Sequence, residues 1–471
     1  MIRDRRAMSA AWSAGVMVLA ACSGNGDPPR AQTSVATDAS VQIKVSATTD
    51  VVTTIVSPST DASVISDPPA ARRWVVPTDR CDDPQAANAP IGGTVHIGSV
   101  MPLTGQLASP FAGVKAGFEA YIDFARENGL FQGYDDVELT IGDDQYDSVK
   151  TPGAVQAQID AGAHLFSGII GTPNNRQARD VLNDACIPQL NALSGSPEWG
   201  EVDDYPWTAG LLVPYTVESQ VYAAQLGRLF PDGATVGLFY VNNDFGLAYA
   251  RGFAQVASGY GLDIIAEQTI DPGDSNPPGL QMINLAAAAP DAIMAAPLGA
   301  GCISFFFELA AAQAQNPNWR PTVFISNSCA DSLILAAAGP GADGLYTGGN
   351  LVDIDNPDVR STPAVQQYID FMTGIGQADM VATAADGWTT GEVTVAILNQ
   401  AAASPEGLTR ASIMNAARDL QISPSLARKG VVDRSDGEVD PFLAQSLQVL
   451  QYDAQTATFA DVGALITDFE S

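Results

Sequence analysis

The sequence predicts an α/β protein with two domains, each built on a parallel sheet. From about residue 93, short apolar runs alternate with amphipathic helical stretches, the pattern of parallel strands covered by helices on both faces. The alternation restarts after Pro206-Trp207 and continues for a similar length, which argues for a second domain of the same class. The 471 residues, 46% of them hydrophobic, allow two or three domains with sizeable cores.

The elements follow in order. Val95 to Met101 reads as a strand ending in the turn Pro102-Leu103-Thr104-Gly105. Ser109 is the expected N-cap of the next helix, with Pro110 at its first position. Phe111, Val114, Phe118, Tyr121, Ile122 and Ala125 then share one helical face, and Gly129 stops the helix. Strand Val137 to Ile141 precedes a helix opened by Thr151-Pro152, and strand Leu165 to Ile170 precedes a helix from about Asn174 to Asp184. Ile187 to Leu193 is a further strand.

In the second domain a helix runs from about Val217 to Phe230, then strand Thr235 to Val241. Helix Phe245 to Ser258 leads to strand Asp263 to Ile270, and helix Leu280 to Ala288 to strand Ala292 to Ala296. A helix through Phe305-Phe306-Phe307 leads to strand Thr322 to Ser326. Near the C-terminus, Asp436-Gly437 lies between the apolar runs Val431-Val432-Asp433 and Ser446 to Tyr452, the signature of a hairpin turn.

The N-terminus stands apart. MIRDRR is a basic segment, and Ala11 to Ala21 is an apolar run too short to span a bilayer. It ends in Leu19-Ala20-Ala21-Cys22, which resembles the bacterial lipobox, and that resemblance makes residues 1–21 a signal peptide and Cys22 a lipidated N-terminus. Residues 22–92 then comprise the lipidated cysteine, a disordered tether rich in Ser, Thr, Ala, Asp and Pro, and a lead-in carrying Cys81. The four other cysteines, Cys81, Cys186, Cys302 and Cys329, suit two disulfides in an exported chain, with three pairings open.

Several functions are excluded by composition. A net charge of −31 leaves nothing to neutralise nucleic-acid phosphates. The two histidines read as structural, His96 in the apolar run of the first strand and His164 in a surface turn. No Gly-x-Ser-x-Gly elbow occurs. Gly339-Pro340-Gly341-Ala342-Asp343-Gly344 fits a dinucleotide fingerprint in spelling, but it follows a helix and precedes a strand, so it reads as a helix stop. Asp143, Asp144 and Asp147 read as a solvated strand end, and neither a metal nor an organic cofactor is expected.

The motifs taken in order resemble type I periplasmic binding proteins of the leucine/isoleucine/valine-binding kind. They are Pro102-Leu103-Thr104-Gly105 with Phe111-Ala112-Gly113, Asp143-Asp144-Gln145-Tyr146-Asp147, Gly168-Ile169-Ile170-Gly171 with Thr172-Pro173-Asn174-Asn175, Ser194-Gly195-Ser196, and Asn243-Asp244-Phe245-Gly246. The resemblance covers most of residues 93–466. It implies two doubly wound lobes joined by a hinge, with a ligand between them: lobe one at 93–211 and 352–428, lobe two at 212–351 and 429–466. It also implies no enzyme activity. The expected role is a monomeric extracytoplasmic lipoprotein, held to the outer face of the cell membrane, that captures an amino acid, amide or carboxylate for an ABC permease. A lipoprotein of the same fold that senses a ligand and regulates a partner is the alternative, and an exported hydrolase a more distant one.

In open α/β sheets ligands sit beyond the carboxyl ends of the strands. Thr104, Thr172, Asn174, Asn175, Ser194 and Ser196 on lobe one, with Asp244, Phe245, Asn327 and Asp331 on lobe two, are therefore the expected ligand-binding residues. Pro173-Asn174-Asn175 departs from the Ser/Thr usual in that family loop, which widens the ligand class beyond branched-chain amino acids. Within this frame Cys302 and Cys329 follow strands at one end of lobe two, while Cys81 and Cys186 lie at the opposite end of lobe one, so the expected bridges are Cys302–Cys329 and Cys81–Cys186.

Overall fold

A computed structural model describes residues 74–105, 107–272 and 276–467. The expected signal peptide, Cys22 and the expected tether up to residue 73 lie outside the described residues. In chain order the first lobe contains α1 (Pro84–Asn88), β1 (Thr94–Met101), α2 (Ala108–Glu127), β2 (Asp136–Asp143), α3 (Thr151–Asp160), β3 (Leu165–Ser167), α4 (Thr172–Asp184), β4 (Gln189–Ala192) and β5 (Thr208–Gly210). The second lobe contains α5 (Tyr215–Leu229), β6 (Ala234–Val241), α6 (Asp244–Ala257), β7 (Leu262–Ile270), α7 (Gly279–Ala288), β8 (Ala292–Ala296), α8 (Ala300–Gln315), β9 (Thr322–Ile325), α9 (Ser332–Ala338) and β10 (Tyr346–Gly349). The chain then returns through α10 (Pro357–Arg360), α11 (Pro363–Gly374), α12 (Ala385–Ala402), α13 (Arg410–Ala417), β11 (Gln421–Ile422) and β12 (Asp433–Arg434), and ends in β13 (Gln448–Asp453) and β14 (Thr458–Asp461).

The first sheet is wholly parallel, in the order β2-β1-β3-β4-β5. The second runs β14-β13-β10-β9-β8-β6-β7, parallel except for the antiparallel pair β13 and β14 at one edge. Each sheet is covered on both faces, which is why its central strands read as unbroken apolar runs. Among the described residues no helix is long and apolar enough to cross a membrane.

Close helix contact holds the first lobe together. α2 and α12 pack at glycines: a Cβ on Gly117 would collide with the Ala384 carbonyl, and one on Gly387 with the Val114 carbonyl. Gly391 lies under the Tyr121 ring in the same seam. Trp388 fills the space beside it, within ring contact of Tyr121, Phe124, Phe371 and Tyr368.

The lead-in is part of this lobe. Val76 N–H donates to Asn415 Oδ1 at 2.7 Å, and the Trp207 indole donates to the Pro77 carbonyl at 3.3 Å. Cys81 is bridged to Cys186. Val76, Cys81 and Ala87 are buried in the core.

Three local expectations are corrected. Ser109 does not cap α2; the helix starts at Ala108 with Leu107 before it and no side-chain cap. His96 is half exposed rather than core, because it occupies an outward position near the start of β1, beside His164 and Glu138. Asp436-Gly437 does not join β12 to β13. β12 pairs instead with β11, and the hairpin of the tail is β13–β14. Gly437 turns the chain beneath Trp74 with φ +57°, and its N–H donates to the Arg418 carbonyl at 2.7 Å. Residues 433–443 thereby stay with the first lobe, where Leu443 is buried, and the chain joins the second core only at Ala444, later than the boundary at 428.

The second lobe buries a carboxyl group. Glu218 on α5 is fully buried, accepting from the Tyr222 hydroxyl and, at 2.9 Å, from the Asn327 N–H, with Tyr249 of α6 close by. Burial pushes its carboxyl up to about 7, opposed by those hydrogen bonds.

Two outcomes follow. Gly117→Ala forces α2 off α12 and should lower stability by about 1–3 kcal/mol, read as a reduced urea midpoint at unchanged slope. For Glu218 the folded value lies above the unfolded one, so its stability contribution is complete below about pH 4.5 and lost as pH rises through about 7. Parent and Glu218→Gln should therefore differ in the pH slope of unfolding free energy between pH 5 and 8, the parent losing roughly 2–4 kcal/mol more. Parallel slopes would contradict this.

Candidate functional site between the lobes

A cavity of about 310 Å³ opens between the two sheets, near the lower end of the range of roughly 300–1,000 Å³ usual for small-molecule sites. The segments that cross between lobes form much of its wall: Leu211 to Val213, Gly348 to Asp355, and Ala444 with Leu447. Two strands of the hinge are tied to each other. Val352 N–H donates to the Leu426 carbonyl at 2.9 Å, and Arg428 N–H to the Asn350 carbonyl at 2.7 Å.

On lobe one, a buried carboxylate sets the wall. Asp144, at the end of β2, accepts from Tyr146 N–H (2.9 Å), the Thr151 hydroxyl (2.7 Å) and the Asn174 amide (2.8 Å). These bonds hold Gln145 and Tyr146 in the left-handed region, at φ 58° and 60°, where non-glycine residues are uncommon. The turn lays the Tyr146 ring parallel to Phe111 at 6.1 Å and beside Gly171, whose missing Cβ leaves room for it. Phe111, Tyr146, Ile170 and Leu193 make this wall largely apolar.

On lobe two, Asn243 caps α6 by accepting from Gly246 N–H at 3.2 Å, which places Phe245 in the first turn. Phe245 meets Tyr215 edge-on at 5.1 Å, and both line the cavity. The turn carrying Asn327, Ser328 and Asp331 is anchored twice, through Glu218 to the Asn327 N–H and through the disulfide from Cys329 to Cys302 of α8. A bridge closing 27 residues stabilises by about 3 kcal/mol in chain-entropy terms.

The charged groups of the wall are mostly carboxylates. Asp386, in the first turn of α12, is exposed where it opens onto the cavity; the surrounding protein, then the charge of Asp331, raises its carboxyl above the ordinary range. Burial pushes Asp433 up to about 7. Asp353 accepts from Phe459 and Asp355 N–H groups.

Of the ten residues expected from the sequence, Phe245, Asn327 and Asp331 line the cavity. Asp331 also accepts from Ile334 N–H at 3.1 Å, as the cap of α9. The others are engaged elsewhere. Thr104 is exposed and donates to Asp143, which also accepts from Leu103, Thr104 and Gln145 N–H groups. The acidic strand end is thus a clasp for the Pro102–Gly105 turn, and among the described residues no group of three His, Cys, Asp or Glu could hold a metal.

Thr172 and Ser194 share a hydrogen bond at 2.7 Å, Asn174 serves Asp144, and Asn175 donates to the Ile169 and Gly171 carbonyls. Ser196 caps the short turn at Pro197. Asp244 binds Arg176 of α4 at 2.8 Å, and Arg176 also pairs with Glu198, so an ion pair joins the lobes across the cleft. The sequence reading missed Tyr146, Tyr215, Asp386 and Thr389. Tyr146 carried a signal, since it sits within the acidic motif at the end of β2; α12 offered none, being buried over most of its surface.

A family profile described as "Periplasmic binding protein" matches residues 94–457. Among solved structures, the chain resembles a branched chain amino acid ABC transporter protein from Thermus thermophilus with bound valine, at 18% identity and TM-score 0.69, covering 80% of this chain and 97% of that one. It also resembles a fatty acid ABC transporter substrate-binding protein from Thermomonospora curvata (18% identity, TM-score 0.67, covering 81% and 95%). A third is a solute binding protein from R. palustris in complex with benzoate (16% identity, TM-score 0.66, covering 80% and 99%). No curated protein matches the sequence. Two sheet-and-helix lobes around a cleft, with the family profile spanning both, establish that this chain belongs to the periplasmic binding protein family, with the type I fold and a binding rather than a catalytic role.

Proposed function

We propose that this protein is an extracytoplasmic lipoprotein that captures a small solute between its lobes and delivers it to an ABC importer. The observation that carries the reading is the wall of the cavity: both lobes and the crossings between them contribute to it, so a bound solute contacts every part that must move when the lobes close. The Thermus and Thermomonospora proteins are named as parts of ABC transporters, which supports the importer as partner. The basic segment, apolar run and Cys22 support export and a lipid anchor on the outer face of the membrane. The neighbours carry valine, benzoate or, by name, a fatty acid, ligands that differ in size and in the amine but each bear a carboxylate.

Mass spectrometry of molecules released from the purified protein on denaturation identifies the solute. With that solute, small-angle scattering should show a smaller radius of gyration at saturation, and an unchanged radius would contradict closure.

The Arg176–Asp244 pair supports the closed arrangement. Both side chains are about one-third exposed, so the pair is worth about 0.2–1 kcal/mol. Asp244→Asn should weaken solute affinity by up to about fivefold, chiefly through faster release, with an unchanged melting temperature. A tenfold or greater loss would instead return Asp244 to direct ligand contact.

A further inference from the structure

We propose that the solute is an organic cation, an amine with an apolar body and no carboxylate, held between Asp386 of the first lobe and Asp331 of the second. The inference rests on the solute-binding reading and names the chemistry of its ligand.

The charge of the wall comes first. Among the described residues Asp331, Asp353, Asp355, Asp386 and Asp433 line the cavity with one cation, Arg428, while Asp355 also pairs with Arg360 behind the wall. Arg428 is itself paired with Asp461 of β14. An anionic solute would enter against an excess of negative charge, whereas a cation relieves it. Asp331 and Asp386 stand on opposite lobes, and the charge of one raises the proton affinity of the other. Closing the lobes brings like charges together, and an ammonium between them converts that repulsion into two attractions.

Unmatched acceptors are a second, independent observation. Thr389 lies one turn along α12 from Asp386, is 6% exposed, lines the cavity, and its hydroxyl has no hydrogen-bond partner among the described residues. Asp433, 7% exposed, lines the cavity with Oδ1 equally unpartnered. Buried polar groups are ordinarily matched, and N–H donors on a solute would match these.

The lobe-one hydroxyls and amides expected from the sequence to bind a carboxylate are engaged in the fold. Thr172 and Ser194 bond to each other, and Asn174 and Asn175 serve the fold. The rest of the wall suits an apolar body. Phe111, Tyr146, Tyr215 and Phe245 supply ring faces, which also attract cations. The groups facing Asp386 that bear on its ionisation are Asp331 and, from α11, the Tyr368 hydroxyl, which donates to the Val381 carbonyl.

The test presents purified full-length protein with an equimolar pool at pH 7.5: the amines 2-phenylethylamine, 3-methylbutylamine and 1,4-diaminobutane, the acids phenylacetate and 3-methylbutanoate, and the amino acids phenylalanine and leucine. Retained molecules are identified by mass spectrometry and titrated by calorimetry. Amines should be retained above acids and amino acids. Asp386→Asn should weaken amine binding at least tenfold without lowering the melting temperature, and Thr389→Val should weaken it severalfold. Affinity for the amine should fall as pH drops through about 6, where Asp386 takes up a proton; an anion would bind more tightly over the same range.

Preferential retention of acids or amino acids overturns the inference and leaves the solute-binding reading standing. Unchanged amine affinity in Asp386→Asn also overturns it. Retention of no pool member, together with no small molecule released on denaturation, overturns both.

Discussion

Three crossings of the chain between two sheets govern this structure. Leu211 to Val213, Gly349 to Val352, and Leu443 to Ala444 each leave one core and enter the other. A crossing segment passes from one core to the other outside the regular strands of either sheet, yet its backbone groups need partners. The hinge meets that need with its own ladder: Leu351 bridges Ala427, and the flanking N–H groups of Val352 and Arg428 are paired across it. The space left between the lobes is therefore walled by segments that any rotation of the lobes must bend. Cavity and hinge are one object, so solute and lobe angle are coupled by geometry.

A highly acidic chain has carboxylates to use as internal fasteners, and it does so on both sides of the cleft. Asp143 clasps the turn after β1, Asp144 gathers the ends of β2, α3 and α4, and Glu218 holds the turn at Asn327. Where several donors converge, the buried charge is matched and the wall is rigid. Where they do not, as at Asp386 and Asp433, the surrounding protein raises the carboxyl above its ordinary range, and a cationic partner would lower it again. The two situations separate the carboxylates that build the site from those that face its contents.

Much of the fold was legible because parallel strands covered on both faces read as apolar runs, and their helices show one apolar stripe. β8, at Ala292–Ala296, lies where its apolar run predicts. α12 was illegible for the opposite reason. It is buried over most of its surface and carries two glycines and several β-branched residues in its first half, so it shows no apolar stripe. Asp436-Gly437 misled because the dipeptide signals a turn without saying which strands it joins; the partner of β12 was decided by β11 and by Trp74 above the glycine.

The site was legible in position but not in contents. Hydroxyls and amides that follow strands three and four serve equally to cap helices or to bind a solute, and Asn174, Asn175 and Ser196 went to the fold. Tyr215, Leu351 and Asp386 belong to crossings or helix starts with no sequence signature of their own. The account's central claim is that solute binds against the crossings, and hydrogen exchange of the protein with and without the solute released from it tests that most directly. The account predicts slowed exchange at 211–213, 348–355 and 385–389 together. Protection confined to the loops at 172–175 and 194–196, with the crossings unchanged, would contradict it.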